Sequence, residues 1–242
     1  MENSLEHTVR RRQPVGKPLP QWRPCLRPPT TPMVGRFACL EFLEVRAHAR
    51  QLYDAYATDR DGELWTYLPY GPFDTFSAYE AWLAAECSDV DPLCYVIRNL
   101  DDPTAPAAGL AAFQRIAPSV GVLEVGHVAF SPVLQRTRAA TEAMYLMMKR
   151  VFEELGYRRY EWKCDVLNAA SRRAAERLGF RFEGIFRQAT IYKGRNRDTA
   201  WYALTDGDWP ACREGFETWL SPENFDALGR QRTELQISTE PV

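Results

Sequence analysis

From Leu123 to Gly184 extended and helical signals alternate at a spacing that few folds accept. The extended, mostly apolar run L-E-V-G-H-V-A-F (Leu123 to Phe130) is closed by Ser131-Pro132. A turn, V-L-Q-R-T-R-A-A-T, feeds a long amphipathic helix in which Ala140, Ala143, Met144, Met147, Val151 and Leu155 share one face. Gly156 ends that helix, and Tyr157 to Cys164 reads as the next strand. N-A-A-S (Asn168 to Ser171) opens a short helix that stops at Leu178-Gly179, and F-R-F-E-G returns as a strand. The resulting β–loop–α–β–α–β order gathers strand ends and a helix N-terminus around one point, which suits an anionic ligand.

The rest of the chain reads as support for that stretch. With 242 residues, 45% of them apolar, one sizeable core with terminal additions is expected. Residues 1–34 form a Pro-rich, basic extension with Trp22 as an anchor, residues 35–206 the main domain, and residues 207–242 a helix (Asp208 to Leu220) and a polar tail. Arg36 to Leu43 is a first strand, and Val45 to Thr58 and Thr75 to Cys87 are helices, the second capped by Asp74 or Thr75. Leu93 to Asn99 and Ala108 to Ile116 are paired strands, and Phe180 to Tyr192 with Asp198 to Leu204 a last hairpin. Apolar runs are too short to span a membrane, and the N-terminus lacks the apolar core of a secretory leader. The six cysteines show no metal spacing, so reduced thiols in a cytoplasmic protein are expected.

The net charge of −2 conceals a division. Residues 131–200 hold 15 Lys and Arg against 8 Asp and Glu, whereas residues 31–130 hold 6 against 14. The arginines interrupt an apolar α/β pattern without the aromatic interleaving of an RNA-binding sheet, so no nucleic-acid partner is expected. A polyanionic cofactor fits the basic half and an amine the acidic half.

At these residues the chain resembles the GNAT superfamily of N-acetyltransferases, and within it the ribosomal-protein-alanine acetyltransferase (RimJ/RimL-like) branch. The resemblance rests on E-V-G at 124–126, S-P-V-L-Q-R-T-R-A-A-T-E-A at 131–143, N-A-A-S at 168–171 and R-L-G-F-R-F-E-G at 177–184. It implies an α/β (α+β) fold: a mixed, mostly antiparallel sheet of about seven strands with helices on both faces. It also implies acetyl-CoA as cosubstrate. Strand 125–130 would hold the pantetheine, with the Val128 N–H toward the thioester oxygen and the Phe130 backbone pairing the pantetheine. The loop Gln135, Arg136, Thr137, Arg138, Ala139 and Ala140 would take the pyrophosphate on its amides, with Arg136 and Arg138 as charge partners. Arg138 stands where the family usually has its first glycine.

Acetyl transfer to an amine further needs a base and a proton for the leaving thiol. Glu124, expected to share a face with Gly126 and Val128 among apolar neighbours that would raise its pKa, is one base candidate. Glu183 matches the glutamate proposed as base in the resembled branch. Asn168 matches the pantetheine-binding asparagine, and Ser171 stands in for the acid that many members supply as tyrosine; either is equally a helix cap. His127 alternates away from Glu124 and reads as a core histidine. Trp65, Tyr67 and Tyr70 precede the second helix in an aromatic segment that borders the family's acceptor site. No metal site is expected. The reading is an N-acetyltransferase acting by direct attack of a primary amine with an apolar or aromatic body, in a ternary complex. Its rivals are protein N-terminal acetylation and a CoA-binding regulatory domain without turnover. A monomer or homodimer is expected.

Overall fold

In the computed structural model, which describes residues 13–87 and 90–237, the alternating signals become one eight-stranded sheet flanked by α-helices. In chain order the elements are β1 (Met33–Val34), β2 (Ala38–Phe42), α1 (Val45–Tyr56), α2 (Phe76–Glu86), β3 (Leu93–Asn99), β4 (Ala107–Ala117) and β5 (Val122–Phe130). Then come α3 (Arg138–Lys149), β6 (Arg159–Asp165), α4 (Ala169–Arg177), β7 (Arg181–Tyr192), β8 (Arg195–Thr205) and α5 (Trp209–Trp219). The strands lie in the order β1-β2-β3-β4-β5-β6-β8-β7. Every neighbouring pair is antiparallel except β5 with β6, which the α3 crossover makes parallel.

Both faces are covered, for reasons visible in the side chains. On one face Leu52, Tyr56, Tyr79 and Leu83 from α1 and α2 pack over Cys94, Val96, Leu110 and Ala112. On the other, Ala143 and Met147 of α3, Ala175 of α4 and Phe216 of α5 pack over Tyr95, Phe113, Leu123 and Tyr160. Each large apolar side chain buried this way contributes about 1.5–3 kcal/mol. Thr75 caps α2 by accepting the Ala78 N–H at 3.2 Å. The α3 helix continues through a π turn, Arg150–Glu154, and Gly156 ends it in left-handed backbone (φ 68°).

One more strand is present than the seven expected. β1 comes from residues read as extension, and a buried carboxylate makes it. Glu142 on α3 accepts the N–H groups of Arg36, Phe37 and Ala38 at 3.0, 2.5 and 2.7 Å, fixing the turn that folds Met33–Val34 onto β2. Gly35 is required there, because a Cβ would overlap the Glu142 carboxylate. Residues before β1 are docked as well. Trp22 donates from Nε1 to the Ser119 carbonyl at 2.9 Å, and Arg150 donates to the carbonyls of Thr31 and Pro32 at 2.6 and 3.0 Å. Residues 1–12 of the extension, where the absence of a leader was read, and the last five of the polar tail lie outside the described residues. No described helix is long and apolar enough to cross a membrane.

Candidate active site

The parallel pair at the centre of the sheet comes apart. β5 and β6 share a ladder from Val122 opposite Arg159 to Val125 opposite Trp162, and beyond it β5 runs on to Phe130 and β6 to Asp165 unpaired. A β-bulge starts the divergence. Gly126 opposes Ala112 while Ala129 opposes Leu110, so β5 carries one extra residue, and His127 sits there at φ 49°. An extended ligand can therefore pair with β5 in place of a strand.

The bulge also corrects two expectations that assumed strict alternation. His127 turns to the α1–α2 face, where its ring stacks on Tyr70 at 5.6 Å, on the same side as Glu124. Val128 packs instead against the opposite core, so it does not share a face with Glu124. The extra residue shifts the period-2 pattern by one, and nothing in the local sequence announces it.

At the end of β5 the chain turns into α3. Thr137 caps the helix by accepting the Ala140 N–H at 3.1 Å, and Arg136 takes left-handed backbone (φ 60°). Gln135 donates from Nε2 to the Phe130 carbonyl at 2.8 Å, tying the loop to the strand. The amides of Arg136, Arg138 and Ala139 find no acceptor among the described residues; Ala139 is buried, so Arg136 and Arg138 bring the accessible donors to this helix N-terminus. Arg138 is the first helical residue and its position makes no demand for glycine. Its guanidinium turns away to a bidentate pair with Asp101 (2.8 and 2.6 Å) and lies 4.1 Å over Phe37 and 5.1 Å over Phe225. Asp101 beside it holds the guanidinium above its ordinary proton affinity. Arg136 is the loop arginine left exposed.

Across β5, β6 and β7 runs a zigzag of alternating charge. Glu124 meets Lys163 at 2.7 Å, Lys163 meets Glu161 at 2.7 Å, Glu161 meets Arg159 at 2.7 Å, and Arg159 meets Glu183 at 2.5 Å. The two carboxylates singled out as bases are thus members of one chain of ion pairs, which Arg115 extends beyond Glu124. Glu124 is buried, as expected, but among partners rather than apolar neighbours: Arg115 lies 3.2 Å away and Gln114 donates at 2.7 Å. Gly126 leaves room for Gln114 to do so, since a Cβ would overlap its amide. Lys163 also stands 3.7 Å over the Trp201 ring. Burial pushes the Glu161 carboxyl up, but Lys163 and Arg159 hold it below the usual carboxylate range. Glu183 is exposed and held by both nitrogens of Arg159.

Over this charged floor stand the α1–α2 loop and the tip of the β7–β8 hairpin. Lys193 at the tip donates to the Trp65 carbonyl at 2.6 Å, and Tyr192 donates to Asp165 at 2.8 Å. Loop and hairpin therefore meet as a roof. Trp65 itself is buried (7% exposed) against Tyr56 and Phe73 and lines a hollow of about 320 Å³ with Tyr53, Asp59 and Asp61. Its side chain is a packing residue of the loop. Tyr67 is half-buried, and Tyr70 is clamped between Trp82 (4.1 Å) and His127.

On the other side of the splay, Asn168 caps α4, accepting the Ser171 N–H at 3.0 Å, and Ser171 Oγ accepts from Trp162 Nε1 at 2.9 Å. Cys164 is buried, and burial pushes its thiol up, which disfavours a nucleophilic thiolate.

Residues 40–181 match the model of the acetyltransferase (GNAT) domain, a span that runs from β2 to β7 and takes in the splay and the α3 N-terminus. The chain belongs to the GNAT acetyltransferase family. It is an N-acetyltransferase, and solved structures agree. A GCN5-related N-acetyltransferase from Brucella melitensis is 43% identical, with a TM-score of 0.86 over 90% of this chain and 97% of that one. A GNAT-family acetyltransferase from Chromobacterium violaceum is 42% identical, with a TM-score of 0.76 over 82% and 98%. The RimL ribosomal alpha-N-protein acetyltransferase, solved in complex with coenzyme A, shares the fold at 19% identity, with a TM-score of 0.61 over 72% and 98%. Among curated proteins none matches the chain.

For this acetyltransferase the structure brings Glu124, Glu183, Tyr67, Tyr70 and also His127 to the roofed side of the sheet. It sets the amides of the 135–140 loop at the mouth of the splay. The side chains of Arg138 and Trp65 stand apart from both, engaged in packing.

Proposed function

We propose that the enzyme acetylates a primary amine that enters the roofed groove end-on, its body against the loop aromatics and its nitrogen toward the bulge of β5. Acetyl-CoA supplies the acetyl thioester. The free edge of β5 from Val128 to Phe130 suits its pantetheine, and the acceptor-free amides of Arg136 and Arg138 suit its diphosphate. Asn168 and Ser171 line the opposite side, and Ser171, with its hydroxyl fixed by Trp162, is placed to pass a proton to the departing sulfur. Glu124 and Glu183 serve as acidic members of the ion-pair chain, drawing the ammonium in. The observation that carries the reading is the roof. A groove closed by the Lys193–Trp65 contact takes the end of a molecule and refuses the middle of a polypeptide.

That geometry also admits a protein N-terminus, so the acceptor is decided by competition. Free thiol would be followed with acetyl-CoA and 2-phenylethylamine, spermidine or an alanine-initiated peptide. The aromatic monoamine is expected to give the highest kcat/KM. The highest value with spermidine would contradict the aromatic wall, and with the peptide would move the acceptor to protein N-termini.

A further inference from the structure

Both carboxylates that sequence offers as bases are tied into ion pairs, Glu124 with Lys163 and Arg115, Glu183 with Arg159. A different titratable group stands on the β5 bulge itself. His127 adjoins Val128, whose N–H is proposed to face the thioester, and the bulge turns its imidazole to the roofed face. There Tyr70 Oη lies 3.2 Å from Nδ1, with the two rings stacked at 11°. A non-glycine residue at φ 49° costs roughly 1–3 kcal/mol of backbone strain, which the surrounding contacts must offset.

We propose that His127 is the catalytic base, with Tyr70 its positioning residue: Nδ1–H donates to the Tyr70 oxygen, leaving the lone pair on Nε2 to take a proton from the acceptor ammonium. The inference rests on the acetyl-transfer reading above and deepens it. In the step, an N–H bond of the ammonium breaks as Nε2–H forms, giving an imidazolium and a neutral amine. The amine nitrogen then bonds to the thioester carbonyl carbon, and the C–S bond breaks with its electron pair on sulfur. The second proton lost by that nitrogen ends on the departing thiolate.

The imidazole meets Tyr70 from the loop and feels the charge of Glu86 from α2. Burial lowers its proton affinity more than Glu86 raises it, so it is neutral, and able to accept, at pH 7. The sign of the pH dependence follows. Activity is present above the histidine's own pKa, below the usual value of about 6.5, and is lost as pH falls through it.

The test uses the full-length enzyme with acetyl-CoA and 2-phenylethylamine, spermidine and an alanine-initiated peptide as acceptors. Wild type should show kcat/KM for the best of them level between the histidine limb and the amine's own pKa. His127→Asn, which tolerates left-handed backbone, should lose on the order of 10²-fold at pH 7. Its rate should rise tenfold per pH unit up to the amine's pKa, with CoA affinity and circular dichroism unchanged. Tyr70→Phe keeps the stack and should lose roughly twofold to tenfold, the worth of one hydrogen bond. Glu124→Gln should raise KM for the amine and keep the level region. A level profile in His127→Asn, or loss of it in Glu124→Gln instead, overturns the assignment. No thiol release with any of the amines would remove the acetyl-transfer reading, and the proposal with it.

Discussion

Arg136 and Arg138 stand two residues apart in one basic loop and do different work. Arg138 joins Asp101, Phe37 and Phe225, bracing the start of α3 against the β3–β4 turn and the C-terminal segment, whereas Arg136 remains exposed beside the open amides. Arg136→Ala should therefore weaken CoA binding by roughly 1–3 kcal/mol, the range for charge-assisted hydrogen bonds, with little change in Tm. Arg138→Ala should leave affinity within about threefold and lower Tm by a few degrees, since roughly 1 kcal/mol shifts a chain of this size by about 2–4 °C. Calorimetry and thermal denaturation of the two variants check this. Sequence could not separate the pair, because the partners of Arg138 are dozens of residues away. The side of the sheet that His127 faces was misread for a related reason. Alternation presumes an unbroken ladder, and the bulge is set by pairing with Leu110 and Ala112 on another strand.

Periodicity fares better for whole elements, because it reports burial directly. Leu93–Asn99 is a strand over the very residues read, and α1, α2, α4 and α5 lie within two residues of expectation. The cap at Thr75 and the stop at Gly156 were legible because capping is local chemistry. The roof was not, because it joins Lys193 to a backbone carbonyl 128 positions away. Lys193→Met should open it, raising KM for a small amine severalfold while bulkier amines gain in relative kcat/KM. Trp65→Ala, in contrast, should cost about 3–5 kcal/mol of stability, the usual loss for a buried aromatic. Urea denaturation should show it as a fall in the midpoint.

For the whole molecule, the basic half that charge counting found lies along α3, β6, α4 and the β7–β8 hairpin, around the splay. Many of those cations are already paired, as Arg159, Lys163 and Arg181 are with Glu161, Glu183, Glu124 and Asp208. CoA affinity should still fall with added salt, but with a slope set by a few free cations such as Arg136 rather than by the full excess. Titration calorimetry at two ionic strengths measures that slope. The ends of the chain were read as additions, yet β1 extends the sheet and Trp209, Phe216, Trp219 and Phe225 belong to the main core. The docking surfaces that absorb them, such as the Glu142 carboxylate beneath residues 36–38, exist only once the sheet is formed.

On the proposed reading, the splayed strands and the roofed groove hold both substrates at once, so that the acetyl group passes directly to the amine. Cys164 is buried with its thiol pushed up, which disfavours a stored acetyl group on that sulfur. Initial rates with acetyl-CoA and the preferred amine both varied test this most directly. Intersecting double-reciprocal lines, as a ternary complex requires, are expected; parallel lines would show an acetyl-enzyme intermediate and contradict the account.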